Sequence, residues 1–104
     1  MAVYILQCAD GAYYTGVTND LDRRFEEHQS GINSTAYTFK RRPVKLVFFE
    51  WFPDADQAIS FEKQVKGWRR EKKETLIRRD WAALPKLSRS YALIRKLEED
   101  KRKD

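Results

Sequence analysis

The chain has 104 residues, of which 41% are hydrophobic and 36% are charged, with a formal net charge of +5. That length suits a single domain able to bury a core without disulfides or a structural metal. The single cysteine Cys8 cannot form an internal disulfide, and with the single histidine His28 it does not make a zinc site. Excess Lys and Arg favours polyanions such as nucleic acid, although a solubilising surface explains it equally well. Because no secretory signal or membrane-spanning run is visible, we expect a cytoplasmic protein without a membrane partner.

The first two elements form a predicted β-hairpin. Residues 3–8 and 13–18 are short runs rich in β-branched and aromatic side chains, which is typical of strands. Between them, Asp10-Gly11 is a turn signal. The sequence therefore predicts two antiparallel strands at the start of the fold.

A helix is predicted directly after the hairpin. Asn19 and Asp20 are capping residues, and Ser30-Gly31 is typical of a helix end. The apolar positions in between recur at helical spacing, at Leu21, Phe25 and His28.

The rest of the chain predicts one more strand and several helices. Residues 32–43 are a polar, basic loop, and residues 44–52 are an almost continuous apolar run, typical of a central strand buried on both faces. Residues 55–66 and 69–79 have helical patterns, with Leu76 and Ile77 expected to be buried in the latter, and residues 90–101 predict a final helix. The order is β-β-α-β-α-α plus a C-terminal helix. This order predicts an α+β domain with a small three-stranded, mainly antiparallel sheet flanked by helices.

Several motifs together carry a family resemblance. Val3-Tyr4-Ile5-Leu6 and the later Tyr14-Thr15-Gly16 resemble the two motifs of the GIY-YIG nuclease superfamily. The stretch NDLDRRFEEHQSG at residues 19–31 resembles the first helix of that family. Two further stretches, RPVKLV at residues 42–47 and FEKQVKGW at residues 61–68, are similar to its small single-domain UPF0213-like subfamily.

The resemblance implies a GIY-YIG nuclease-like domain over residues 1–83 and a helical extension over residues 84–104. It implies an endonuclease that uses one Mg²⁺ or Mn²⁺ ion to hydrolyse phosphodiester bonds in DNA. By analogy with larger relatives the substrate is branched or damaged DNA, read with little sequence specificity. The alternative is a nucleic-acid-binding module with weak or no cleavage, and a protein-interaction role is a third reading. A monomer is favoured.

Five side chains are implied as catalytic: Tyr4, Tyr14, Arg24, His28 and Glu62. Glu62 would be the metal ligand, because Mg²⁺ keeps most of its waters and needs few carboxylates. The guanidinium of Arg24 would contact the scissile phosphate. One of the two tyrosines would act as the base, assisted by His28, although an unperturbed phenol, with a pKa of about 10, is a poor base.

Each of these residues also has a plainer structural reading. Glu62 could be a helix-surface residue paired with Lys66, and Arg24 could form a salt bridge with Asp20. The tyrosines could simply pack their rings on the strands. In addition, the family often has Asn-Pro-x-Trp late in the domain, where this chain has Arg78-Arg79-Asp80-Trp81, so Asp80 would have to substitute for that Asn.

A basic rim is predicted to hold the nucleic-acid backbone. If the helix runs through Gly67, three cations follow Glu62 at i+4, i+7 and i+11. The substrate-binding candidates are Gly16, Lys40, Arg41, Arg42, Lys66, Arg69 and Lys73. The alternative to a nucleic-acid-binding rim is an ordinary solvent-exposed face, in which Glu71 and Glu74 lie among the cations. Tyr37 and Trp68 could stack on unpaired bases, although packing within the protein is favoured.

The hairpin register offers an independent check of the shared site. A two-residue turn would place Tyr4 and Tyr14 on opposite faces of the sheet. A three-residue turn, Ala9-Asp10-Gly11, with Gly11 in the left-handed conformation, places Tyr4 opposite Gly16 and on the same face as Tyr14. A shared site therefore requires the three-residue turn.

Overall fold

A computed structural model describes residues 1–79 of the chain. The three strands are β1 (Ala2–Gln7), β2 (Tyr13–Thr18) and β3 (Lys45–Trp51), and they form one antiparallel sheet in the order β2-β1-β3. The helices are α1 (Leu21–Ser30), α2 (Ala55–Lys66) and α3 (Arg70–Ile77), with a short 3₁₀ helix at Phe39–Arg41. This confirms the predicted α+β class and the order of elements. The predicted C-terminal helix and the Asp80 substitution lie outside the described residues.

The chain divides into two compact units, Met1–Gly67 and a second one that begins at Trp68. The first contains the sheet, α1 and α2. The second contains α3, whose buried residues are Thr75 and Leu76. Ile77, which was expected to be buried, is half-buried. The predicted domain boundary at residue 83 stays a prediction. Within residues 1–79, no helix is long and apolar enough to cross a membrane.

The β1–β2 hairpin has the register that a shared tyrosine site requires. Tyr4 lies opposite Gly16, and Gly11 has a φ of 87°, in the left-handed region. The amide of Cys8 donates to the carbonyl of Ala12 at 2.8 Å, and the amide of Gly11 donates back to the carbonyl of Cys8 at 2.9 Å. Glycine reaches this conformation without steric cost. The prediction of a three-residue turn is thus confirmed.

The prediction that β3 is the central strand was wrong. β1 pairs with strands on both sides, and β3 lies at an edge of the sheet. Along β3, Phe48 and Glu50 are buried, whereas Phe49 and Trp51 are each 44% exposed. The apolar run therefore does not indicate a strand covered on both faces. In β3 alternate aromatic residues remain half open instead.

Helix α1 begins and ends as its sequence predicts. The Asp20 carboxylate accepts a hydrogen bond from the amide of Arg23 at 3.2 Å, and Gly31 closes the helix in the left-handed conformation. Near its end, the side-chain amide of Gln29 makes two hydrogen bonds with the backbone of Val44. It accepts from the Val44 amide at 2.8 Å and donates to the Val44 carbonyl at 3.0 Å.

Helix α2 packs against both strands of the hairpin, and its Phe61 ring contacts Phe48 and Phe52. It ends at Lys66, where the amide of Gly67 bonds to the Gln64 carbonyl instead of continuing the helical ladder. The predicted helix over residues 55–66 is confirmed, and the condition for the rim spacing, a helix that runs through Gly67, is not met. Lys66, Arg69 and Lys73 do not follow Glu62 at regular helical spacing.

Candidate active site

Three of the five predicted catalytic residues meet on one face of the hairpin and the neighbouring helix. The Tyr4 hydroxyl lies 3.0 Å from Nε2 of His28. The rings of Tyr14 and His28 are 5.0 Å apart between centroids, and those of Tyr4 and Tyr14 are 6.2 Å apart. The shared face follows directly from the hairpin register.

The space for the Tyr4 ring exists because residue 16 is a glycine. A Cβ atom on Gly16 would overlap the Tyr4 hydroxyl and Cζ, and it would lie 2.9 Å from Cε1. The Tyr4 side chain therefore crosses directly over the Gly16 backbone. The predicted substrate-binding residue Gly16 thus has a structural task, which is to let the phenol reach His28.

Burial shifts the pKa of both groups in this hydrogen bond toward the neutral form. Tyr4 is 2% exposed, and loss of hydration raises the pKa of its phenol well above the usual value, with a further rise from the Tyr14 hydroxyl beside it. Burial also lowers the pKa of His28, and the positive charge of Arg24 lowers it further. Both groups are therefore neutral in the folded protein at neutral pH.

Arg24 lies at the open side of this cluster, 48% exposed. Its ion-pair partner is Glu27, at 3.7 Å, whereas the alternative partner Asp20 caps the helix through the Arg23 amide. Arg23 is 76% exposed, and its guanidinium lies 3.8 Å from the same Glu27 carboxylate. Residues around the start of α1 line a polar cleft of about 230 Å³: Thr18, Asn19, Asp20, Arg23, Arg24 and Glu27. Arg24 can therefore reach an anion that enters from solvent.

Glu62 is a buried carboxylate on α2, only 7% exposed. Its Oε1 atom lies 2.5 Å from the ammonium of Lys66, which is half exposed. This hydrogen bond raises the pKa of Lys66, and the nearby Tyr14 adds to the rise. The pairing with Lys66 occurs, but the helix-surface reading of Glu62 does not hold, because the carboxylate is buried.

The surroundings of Glu62 fit a hydrated divalent cation. The Lys66 ammonium already places a positive charge at the carboxylate, next to the Tyr14 side of the site. Within residues 1–79, no group of three or more His, Cys, Asp or Glu side chains is arranged to hold a metal. A single carboxylate is nevertheless sufficient for Mg²⁺, which usually keeps several of its waters.

Two of the predicted rim cations, Arg41 and Arg42, are engaged inside the protein. The guanidinium of Arg41 lies 3.0 Å from the Asp10 carboxylate and 4.0 Å above the Tyr37 ring. Arg42 donates to the Phe39 carbonyl at 2.8 Å and covers the Phe39 ring. These contacts fix the loop on the turn of the hairpin.

Of the remaining cations, Lys40 is exposed and Lys66 pairs with Glu62. Arg69 and Lys73 belong to the second unit, where burial lowers the pKa of Lys73. Lys72 covers the Trp68 ring at 4.1 Å, so that ring has a partner within the protein. A nucleic-acid role for these cations stays a prediction.

Two further side chains meet the cluster: Thr38, which no sequence motif singles out, and Tyr37, for which packing within the protein is the favoured prediction. Thr38 is fully buried, and its hydroxyl lies 2.7 Å from Nδ1 of His28. Tyr37 stacks on Tyr14, with 6.1 Å between ring centroids and 22° between ring planes. Both belong to the polar loop, and no local pattern can predict a contact made across ten or more residues.

Comparisons with known proteins show which family the sequence resembles. The sequence profile of the family described as "GIY-YIG catalytic domain" matches residues 1–75. A UPF0213 protein of Haloquadratum walsbyi is 46% identical over 74 residues, which cover 71% of this chain and 82% of that protein. A UPF0213 protein of Staphylococcus aureus is 41% identical over 76 residues, covering 73% of this chain and 92% of that protein.

A related structure is also known. The solution NMR structure of a UPF0213 protein from Bacillus halodurans is 46% identical and covers 73% of this chain and 80% of that one, with a TM-score of 0.49. The profile match and the two relatives show that the chain belongs to the GIY-YIG family, within its group of UPF0213 proteins.

Proposed function

We propose that this protein is a divalent-metal-dependent endonuclease that hydrolyses phosphodiester bonds in DNA. The observation that carries the proposal is the buried tyrosine–histidine pair beside a solvent-facing arginine, with the buried Glu62 carboxylate on the neighbouring helix. A nucleophilic water, charge neutralisation and proton transfer are the needs of this reaction. The family match to a catalytic domain supports the same conclusion.

We propose different tasks for the two tyrosines, because their burial differs. Tyr4 is enclosed, whereas Tyr14 is half-buried and can meet a water molecule bound with the substrate. In this proposal the ionised Tyr14 oxygen takes a proton from that water, while the water oxygen forms the new bond to phosphorus. The bond to the leaving oxygen breaks, the leaving alkoxide takes a proton from solvent, and Tyr14 returns its proton to solvent.

Arg24 and Glu62 act on the charge of the phosphate. The guanidinium of Arg24 would bind two phosphate oxygens and turn from Glu27, which is a weak, half-exposed partner. Glu62 would hold Mg²⁺ or Mn²⁺ through its carboxylate. When bound, this ion supplies charge neutralisation and polarises the phosphate and its waters.

By analogy with larger relatives we propose DNA with a branched or damaged structure, bound with little sequence specificity, because an exposed cation such as Lys40 would contact the phosphate backbone and not the base edges. The monomer and the cytoplasmic location also remain predictions.

Cleavage of labelled linear and branched DNA, measured with Mg²⁺, with Mn²⁺ and with chelator, tests the proposal. We expect metal-dependent cleavage that Glu62→Gln abolishes, with Asp56→Asn on the exposed first turn of α2 as the matched control. Arg24→Gln should lower cleavage about 100-fold, in the range for a charge-stabilising donor, and Arg23→Gln should have little effect. Wild-type protein that cleaves none of these substrates with either metal would refute the nuclease.

The Lys66 contact favours one alternative, a nucleic-acid-binding module with little cleavage. The lysine neutralises the carboxylate that the metal needs, so the fold could bind DNA without hydrolysing it. Salt-dependent DNA binding without metal-dependent cleavage would support this module. Weak binding that does not fall as salt rises would point instead to an acidic protein partner.

A further inference from the structure

The imidazole of His28 is held between two hydroxyl groups. Nε2 bonds to the Tyr4 hydroxyl at 3.0 Å, and Nδ1 bonds to the Thr38 hydroxyl at 2.7 Å. All three side chains are buried. A neutral imidazole has one donor nitrogen and one acceptor nitrogen, whereas a hydroxyl can donate or accept. The distances alone therefore allow two arrangements of the protons.

The two arrangements differ in what they leave unpaired. If Nδ1 carried the proton, Thr38 would accept, and its own O–H would need another acceptor. Among residues 1–79, His28 Nδ1 is the hydrogen-bond partner that the structure gives to this hydroxyl. Because Thr38 is fully buried, its O–H would then be an unpaired donor away from water, which is costly.

The reverse arrangement satisfies every donor. Thr38 donates to Nδ1, and Nε2–H donates to the Tyr4 oxygen. The Tyr4 O–H is then available to donate toward Tyr14, whose ring centroid lies 6.2 Å from that of Tyr4. Tyr14 is half-buried, so its own O–H can reach solvent or substrate. Each donor in this series therefore points toward the next residue, from Thr38 through His28 and Tyr4 to Tyr14 at the solvent-facing side.

We propose that Thr38 is a positioning residue that holds His28 as the Nε2–H tautomer, so that a chain of donors runs through His28 and Tyr4 to the Tyr14 oxygen. This inference rests on the proposed function for its catalytic consequence. It changes the task of the histidine: His28 donates to Tyr4 and does not take its proton. Negative charge that develops on Tyr14 is then stabilised by the Tyr4 O–H.

The surrounding charges agree with this direction. Burial and the Arg24 charge keep the imidazole neutral, with Glu27 as the opposing charge nearby. Burial also keeps Tyr4 protonated, as a donor must be. Lys66, which lies within electrostatic range of Tyr14, adds a positive charge at the outer end of the chain. A hydrogen-bond donor at Tyr4 and a cation at Lys66 therefore lie on the same side of the chain as the Tyr14 oxygen.

NMR of the imidazole tests the tautomer directly. His28 is the only histidine of the chain, so full-length untagged protein labelled with ¹⁵N at histidine gives one imidazole spectrum. We expect that at about pH 7.5 Nε2 carries the proton and Nδ1 does not, since an unperturbed histidine is mostly neutral there. A wild-type spectrum with the proton on Nδ1 would overturn the proposal, whatever the variants do.

Variants separate positioning from general stability. Thr38→Val removes the hydroxyl at similar volume and should move the spectrum toward a mixture of tautomers, and Thr38→Ser should restore the wild-type pattern. Thr35→Val, on an exposed threonine of the same loop, is the control and should change nothing. An unchanged spectrum in Thr38→Val, or a Thr38→Ser spectrum that differs from wild type, would count against the proposal.

Cleavage assays then separate this inference from the proposed function. Thr38→Val should lower kcat about tenfold, less than the ~100-fold or more of a group in direct proton transfer, and Thr38→Ser should recover it. A loss of kcat equal in Thr38→Val and Thr35→Val would refute the positioning role. Wild-type protein with the Nε2–H spectrum that cleaves no nucleic acid would refute the nuclease and leave the tautomer assignment supported.

Discussion

Replacing Gly16 with alanine should damage stability and the proposed site together. The added Cβ would overlap the Tyr4 phenol, and that ring is buried and cannot swing into solvent. Either the ring or the β2 backbone must move. In both cases the 3.0 Å hydrogen bond between Tyr4 and His28 is lost or lengthened.

The expected loss of stability follows from three contributions. Overpacking a close-packed site costs about 1–3 kcal/mol. Loss of a hydrogen bond costs about 1 kcal/mol, and replacing a strand glycine regains about 0.5–1 kcal/mol. The net change is about 2 kcal/mol. For a domain of this size it corresponds to a fall in Tm of about 8–16 °C.

Thermal unfolding monitored by circular dichroism measures this change, and cleavage should fall by about 100-fold if the phenol shifts by about 1 Å. Gly67→Ala is the matched control. Its Cβ would meet only the Gln64 carbonyl, at an ordinary 3.6 Å, so its Tm should not fall appreciably. A Gly16→Ala protein with wild-type Tm and activity would show that the close approach of Tyr4 is not as rigid as described.

Three other outcomes follow from the charges. First, burial lowers the pKa of His28 below its usual 6.5, so as the pH falls the unfolded chain is protonated at a higher pH than the folded one. The stability that is fully present above pH 6.5 should therefore decrease below that pH. His28→Gln should show a shallower fall in Tm from pH 7 to 5; an equally steep one would contradict this reasoning. Second, burial raises the pKa of Tyr4 above its usual 10.0, so stability present below pH 10 should fall above it, and a Tyr4→Phe profile as steep as wild type would argue against that burial effect. Third, Lys66→Met should tighten Mg²⁺ binding by up to about fivefold, because a half-exposed ion pair is worth about 1 kcal/mol or less. Thermal shift against Mg²⁺ concentration measures it, with exposed Lys63→Met as control, and weaker binding in Lys66→Met would refute competition.

Local signals in the sequence were sufficient for most of the first unit. Gly11 and Gly16 fix the hairpin register, since one supplies the left-handed turn and the other the space for Tyr4. Asp20 and Gly31 bound α1 through capping, which involves only neighbouring residues. These features could be predicted because each one depends on a few adjacent positions.

Features that depend on distant contacts could not be predicted. The apolar run of β3 could not reveal that β1, and not β3, has neighbours on both sides. The spacing of Lys66, Arg69 and Lys73 assumed a helix that Gly67 ends. A glycine is compatible with either a bend or an end, and the choice depends on the surrounding packing. Similarly, the contact between Thr38 and His28 arises only when the loop folds back.

The pair of hydrogen bonds between Gln29 and Val44 has a practical consequence for engineering. The Gln29 side-chain amide makes the same two hydrogen bonds with Val44 that a neighbouring strand would make. It therefore connects the residues that precede and follow the 32–43 loop. At the far side, the amide of Ala9 holds the carbonyl of Arg41 at 2.8 Å. The exposed tip at residues 32–35 lies in the sequence between these anchors and before Thr38. That tip is therefore a grafting position, where foreign sequence could be exchanged to alter substrate choice while the histidine stays in place.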